Sequence, residues 1–438
     1  MRERPTLERT AVGGATLLTL PEPSLPTVRF TFALRHGALI DPSGKAGRAR
    51  VMLELMLRGT RSKSRELWNA ALERLGSQVG TTVAPELGIV HGIALKRNLA
   101  PTLALVGEAL LTPALDEGER ADFIAELTEY LRSERDEDEA LAEIFWRRAL
   151  YPGHPLGRRP AGEPAELATL NGDDIQAAYH AHWRAPGLIV GFAGDITSAE
   201  AERAVAPVLA GLSTASVRMP ELPPPPEPPG LRVLVVDKPE RTQAQLYLGR
   251  LAASGHAPDA LALWLGVTAF GGTFTSQFTR EVRDVRGWSY SAYAEFARRR
   301  PWPTPVVLKS APAIGDAVDC LALELELYQK LARGELDPGA VDFARAYLLN
   351  RYPLEVASPT DLLLPAVRNE LLGLAPDELF RTPERLEALR SEDVSAALRR
   401  YLHTERLVVV MVATAAVVVP ALRQRFPGAQ VDVVDFRQ

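Results

Sequence analysis

Short β-branched, apolar runs alternate along the chain with stretches whose apolar residues recur every three to four positions. "TVRFTFALRHG" from Thr27, "GLIVGFAGDIT" around Leu188, "QAQLYLGRLAASG" from Gln243 and "RLVVVMVATAA" around Leu407 have the composition of strands. "SRELWNAALERLG" (Ser64 to Gly76), "EALAEIFWRRALY" (Glu139 to Tyr151) and "DAVDCLALELELYQKLARG" (Asp316 to Gly334) have helical spacing, the last closed by a glycine after cationic residues. The opening strands begin at Thr27 and Gln243, 216 residues apart, and the closing strands carry Leu188 and Leu407, 219 apart. Two near-equal offsets predict a duplicated domain. Strands at both ends of each half with helices between them predict an α+β sandwich, helices on one face of a mainly antiparallel sheet.

"PELPPPPEPPG", Pro220 to Gly230, separates the halves with seven prolines. Proline lacks an amide hydrogen and fixes φ, so the segment predicts an extended strap of roughly 30 Å. The division is therefore 1–219, a linker 220–230, and 231–438. A length of 438 residues and 46% hydrophobic content suffice for two large cores. A formal net charge of -5 gives no basic surface for nucleic acid, and the run Arg298 to Arg300 suits a solvated loop. Cys320 is the single cysteine, which excludes an internal disulfide and a cysteine-cluster zinc site; its apolar helical surroundings predict a core position. The N-terminal "MRERPTLERTAVGG" has no signal-like apolar segment, and no run of eighteen apolar residues occurs. A cytoplasmic protein without membrane attachment is expected, or a periplasmic one if a signal peptide has been removed.

The stretch "GKAGRARVMLELMLRGT", Gly44 to Thr60, sets Arg50 and Glu54 one helical turn apart, with Leu53 beside them. It resembles the zinc helix of the pitrilysin-type inverse zincins, the family of insulysin and the mitochondrial processing peptidase. There the pattern is Gly-x-Ala-His-x-x-Glu-His, with Gly-Thr four residues later. Gly47, Ala49, Gly59 and Thr60 keep that frame without a gap. By the resemblance the two zinc-binding histidines fall on Arg50 and Glu54, and the glutamate that activates water falls on Leu53. A guanidinium has no acceptor for a cation, and leucine has no base for a water proton. No zinc is expected on this chain. Two readings of the substituted helix stay open. Arg50 can set its own charge where zinc would lie, paired with Glu54 and a carboxylate from the region of Glu126, Glu129 or Glu134. Alternatively Arg50 and Glu54 form an ordinary surface pair.

The resemblance extends over most of the chain. "YPGHPLGRRPAGEPAELATLNGDDIQAAYHAHWRAPGLIVGFAGD" (Tyr151 to Asp195) is similar to the end of the family's first domain. "AFGGTFTSQFTREVRDVRGWSYSAYAEF" (Ala269 to Phe296) is similar to the segment that carries the family's arginine and tyrosine, seven residues apart, here Arg283 and Tyr290. The resemblance implies that both bind substrate carbonyls and the oxyanion of a peptide bond under attack, a role that suits fixed donors. Without it, Arg283 is a helix-surface charge and Tyr290 a core tyrosine. Gly287 is placed to end the helix of Arg283, and Trp288, Tyr290, Ala292, Ala294 and Phe296 alternate as one strand face.

Other candidates are structural in expectation. His180 and His182 are spaced to point to different helix faces, His154 lies in a "PGHP" turn, and His36 and His91 follow strand patterns. "GGTFTSQ" (Gly271 to Gln277) has no phosphate-loop lysine. The expected function is the non-zinc-binding subunit of a two-chain zinc metallopeptidase. A homologous partner would carry zinc, and this chain would supply Arg283 and Tyr290 in trans to a shared chamber for peptide substrate. The alternative is a catalytically inert scaffold or peptide-binding subunit of the same family.

Overall fold

The computed structural model describes residues 6–217, 221–227, 230–298, 300–356, 358–375 and 377–438. The expected positions of Pro220, Pro228, Pro229 and Arg299 lie outside them. Among the described residues, two six-stranded sheets form. The first contains β1 (Glu8–Val12), β2 (Ala15–Pro21), β3 (Thr27–Leu34), β4 (Gln78–Val83), β5 (Gly88–Leu95) and β6 (Leu188–Gly194), in the order β1-β2-β6-β3-β5-β4. The second contains β7 (Arg232–Asp237), β8 (Gln245–Leu251), β9 (Ala292–Phe296), β10 (Pro305–Ser310), β11 (Val408–Ala413) and β12 (Gln430–Asp435), in the order β12-β7-β11-β8-β10-β9.

Five strands correspond between the sheets in order and direction. β2 runs parallel to β6 as β7 does to β11, and the next three pairings in each sheet are antiparallel. The sixth strand differs, because β1 is a hairpin partner of β2 whereas β12 returns from the C-terminus to pair parallel with β7. The duplication and the mainly antiparallel α+β architecture expected from the sequence are thus present. The helices Arg65–Leu75, Asp138–Leu150 and Ala317–Ala332 fall where the apolar spacing set them, and the Ser64 hydroxyl and left-handed Gly76 cap the first.

The chain falls into two compact units, and its halves contribute to both. The boundary near the proline segment is at Leu222/Pro223, but residues 132–157 belong to the second unit and 354–380 to the first. This departs from the contiguous division at 219 and 231, for a reason visible in burial. Each central strand is apolar on both faces; β6 and β11 are buried at every position. In the first unit, the helices of the N-terminal half cover one face of the sheet. Leu362, Leu363, Ala366 and Val367, on helix Pro359–Leu371, cover the other, against Leu18, Leu20, Ala33, Ile89, Ile189 and Ala193. In the second unit, helix Asp138–Leu150 lies over β8 and β11, where Trp146 meets Tyr247 edge to face at 6.1 Å. The predicted one-sided helical layer is therefore completed on the second face by a segment from the other half. Cys320 is buried in the second core, and His154 accepts the Leu156 amide and bonds the Pro223 carbonyl at 2.8 Å, a structural role.

Gly191 on β6 marks how closely the exchanged helix approaches. A Cβ there would lie 2.6 Å from Leu363 Cδ1 and 2.9 Å from Thr31 Cγ2. Gly191→Ala should cost about 1–3 kcal/mol by overpacking, and Leu363→Ala about 2–5 kcal/mol by leaving a cavity. The double variant should cost less than the sum, since the new methyl occupies the vacated space. Denaturant titration of the four proteins tests this; additive costs would show that the helix does not pack there.

Candidate functional site

The helix Arg48–Met56 is positioned by backbone geometry, and this explains which residues of its frame persist. Gly47 has φ +92°, and a Cβ on it would lie 2.6 Å from Leu167 Cδ2 and 2.8 Å from the Ala161 carbonyl. Only glycine fits. The buried Asp41 carboxylate accepts the amides of Gly47 and Ala49, each at 2.9 Å, and so caps the helix start. Burial pushes the Asp41 carboxyl up to about 7, against those amides and the nearby Arg48 and Arg158 charges. At the other end Gly59 has φ +105°, and Thr60 bonds Glu108 at 2.6 Å.

Arg50, Leu53 and Glu54 take different environments. Leu53 is 1% exposed and belongs to the core. Arg50 lies 3.8 Å from Glu54 and donates to the Thr81 hydroxyl at 3.1 Å, and that hydroxyl donates to Glu54 at 2.8 Å. Arg50 does not take the carboxylates of the neighbouring helix; it keeps the partly exposed pair with Glu54. The cation that takes them is Arg58, one turn beyond Glu54. Its side chain is 6% exposed and bonds Glu126, with Glu119 at 3.5 Å and Glu54 at 3.7 Å, and its guanidinium lies 4.7 Å from the Phe123 ring centre. Burial works against its charge, but the bond to Glu126 and the Glu54 and Glu119 charges outweigh it and hold its pKa above the ordinary value. Glu126 is correspondingly held below the usual carboxylate range by Arg58. Arg58 was legible in principle, since it follows Glu54 by four residues and Glu119 and Glu126 share a helix face seven apart.

Among the described residues, no three His, Cys, Asp or Glu side chains gather as a metal centre requires. His180 and His182 diverge as their spacing demands. His182 instead meets His36, with ring centres 5.5 Å apart, and neither nitrogen of the buried His36 has a partner of good hydrogen-bond geometry among the described residues. Burial lowers both rings to about 4, assisted at His182 by the His36, Arg48 and Arg184 charges.

Arg283 and Tyr290 belong to the second unit, Arg50, Leu53 and Glu54 to the first. Arg283 sits in a π-helical turn, Arg280–Val285, a local widening that recurs at functional sites. Gly287, at φ +68°, closes the turn with its amide on the Arg283 carbonyl. The guanidinium lies 3.5 Å from the Phe274 ring centre and is held by Asp284 through two bonds, 2.7 and 3.1 Å, while Nη1 has no acceptor. The Asp284 bond raises the Arg283 pKa, with a smaller contribution from nearby Tyr290. Tyr290 is not on the apolar strand face that alternation predicted. The strand starts only at Ala292, because the Ser289 hydroxyl bonds the Ser291 carbonyl and turns the chain; Tyr290 is 85% exposed. Ala292, Ala294 and Phe296 keep the buried alternation.

Residues 169–348 match the family model described as "Peptidase M16 inactive domain". An uncharacterized zinc protease of Streptomyces coelicolor is 25% identical over 300 residues, 66% of this chain and 64% of that protein's length. A probable mitochondrial-processing peptidase subunit beta of Schizosaccharomyces pombe is 22% identical over 200 residues, covering 45% of this chain and 43% of that one. The solved peptidase M16 inactive domain from Pseudomonas fluorescens superposes with a TM-score of 0.86 at 20% identity, covering 93% of this chain and 97% of that one, which establishes a shared fold.

Two predictions follow from these side chains. Arg58→Ala leaves Glu54, Glu119 and Glu126 facing one another and should cost about 2 kcal/mol, below the usual cost of breaking a fully buried pair because Glu126 keeps water; Arg50→Ala should cost under about 1 kcal/mol. Equal losses in urea titration would refute the assignment. The second concerns pH. In the unfolded chain histidine takes a proton below about 6.5, whereas His36 and His182 resist until about 4. Their contribution is therefore intact above pH 6.5 and is lost as pH falls from 6.5 to 4, about 2 kcal/mol for His36 alone at pH 5. His36→Phe should lessen the fall in stability between pH 7 and pH 5, and an unchanged difference would contradict the burial argument.

Proposed function

We propose that this chain, a relative of the pitrilysin-type (M16) peptidases with Arg50, Leu53 and Glu54 at the zinc-motif positions, is the non-zinc-binding subunit of a heteromeric zinc metallopeptidase. A homologous partner carries the zinc and the general base, and this chain supplies Arg283 and Tyr290 to the shared chamber. One observation carries the reading: both donors lie outside the core. Tyr290 is 85% exposed, and the Arg283 side chain, itself only 14% exposed, rests on a Phe274 that is 66% exposed, with Val285 59% exposed beside them in sequence. Exposed aromatic and apolar side chains beside an arginine are the composition of a recognition surface. A tyrosine kept for packing would be buried. The match to the inactive-domain family supports a non-catalytic member of the family, and the likeness to a processing-peptidase subunit supports one that works in an assembly.

The chemistry follows from the donors. A peptide carbonyl under attack gains negative charge on oxygen, and a guanidinium and a phenol set in place stabilise it without reorganising at the moment of reaction. Asp284 fixes the plane of the Arg283 fork, whose Nη1 is covered from solvent and has no acceptor among the described residues. That same Asp284 bond favours a second reading, an inert scaffold in which Arg283 serves only its own helix.

The purified chain alone should hold no stoichiometric zinc and cleave no peptide; one tightly held zinc with chelator-sensitive cleavage would overturn the proposal. In a complex reconstituted with a zinc-bearing partner, Tyr290→Phe and Arg283→Ala should each lower turnover by roughly 10²-fold while assembly is unchanged. Wild-type turnover in both variants would leave the scaffold.

A further inference from the structure

A cavity of about 300 Å³ opens in the first unit. One side is the end of helix Gly172–His182, with Tyr179, His180 and the following Trp183; the other is the turn after helix Leu99–Leu111. It shares no residue with Arg50, Leu53, Glu54, Arg283 or Tyr290, and it stands apart from the peptidase reading.

Its polar lining is rich in donors. Arg61, Gln176, His180 and Ser213 contribute to the wall, and no aspartate or glutamate does. Arg61 is unlike the cations beside it in sequence. Arg58, Lys63 and Arg65 are each paired with a glutamate, whereas the Arg61 guanidinium has no hydrogen bond or ion pair among the described residues. Arg61 and Tyr179 both line the cavity; burial raises the Tyr179 hydroxyl's pKa and the Arg61 charge partly offsets it. Tyr179 spends its own proton on the Leu110 and Leu111 carbonyls, at 2.9 and 3.1 Å.

Two further features mark the wall. Trp183 is 3% exposed, and its indole N–H has no acceptor, an uncommon state for a buried donor. Leu115 is held at φ 49°, a left-handed conformation that a branched side chain rarely adopts and that tends to cluster at ligand sites. Leu111 and Leu212 make the remaining wall apolar. A ligand that suits this lining carries one negative head and a hydrocarbon body.

We propose that this cavity binds a small apolar carboxylate, its head on Arg61 and its body between Leu115 and Trp183. Such a group occurs both in a free organic acid and at the C-terminus of a peptide with an apolar last residue. Titration calorimetry on the full chain tests it with 3-phenylpropionate and N-acetyl-alanyl-leucine, against 3-phenylpropanol and the dipeptide amide. Both acids should bind saturably at one site, and the neutral analogues about tenfold or more weaker, as loss of a charged hydrogen-bond partner requires. Tighter binding of the dipeptide assigns a peptide C-terminus, and tighter binding of phenylpropionate a free acid. Arg61→Gln, at an exposed position, should weaken both about tenfold or more, and Ala114→Trp should fill the cavity and abolish binding with the charge in place. Absence of saturable binding by either acid, or equal affinity in Arg61→Gln, would overturn the proposal.

Discussion

A sheet that is apolar on both faces has to be covered on both, and the architecture of this chain depends on how that is done. β6 and β11 carry no polar face to turn toward water. The helices within each half cover one side, and the other is closed by a helix that the opposite half supplies. Burial of that second face contributes roughly 25 cal/mol for each Å² of apolar surface removed from water, so each unit depends on residues far away in sequence.

Much of this organisation was legible. Strand runs at near-equal offsets announced the duplication, and Ser64, Gly76 and Gly287 mark real element ends. The partner of each second face was not legible, because an amphipathic pattern tells which side of a helix is apolar but not which sheet will meet it. The exchange of residues 132–157 and 354–380 follows from three-dimensional packing alone.

At the helix Arg48–Met56, legibility divides along a physical line. Gly47 and Gly59 are held by backbone conformation and close contact, constraints that outlast any loss of chemistry. Arg50, Leu53 and Glu54 take an ion pair, the core and a hydroxyl bridge. Glu119 and Glu126 are balanced by Arg58, which the resemblance does not single out. Alternation misled at Tyr290, where the serine-made turn of Ser289 and Ser291 starts the strand at Ala292, four residues later than the pattern from Trp288 implies.

The exchanged helices also define what counts as a part of this molecule. The chain passes between the two units at 131/132, 157/158, 222/223, 353/354 and 380/381. A cut in the proline segment therefore yields two pieces of nearly equal length, neither of which contains a whole unit. Each piece owns a sheet and lacks the helix that closes it, and each carries the helix that the other lacks. A unit here is therefore not a contiguous stretch of sequence, and either one is whole only when both halves of the chain contribute to it.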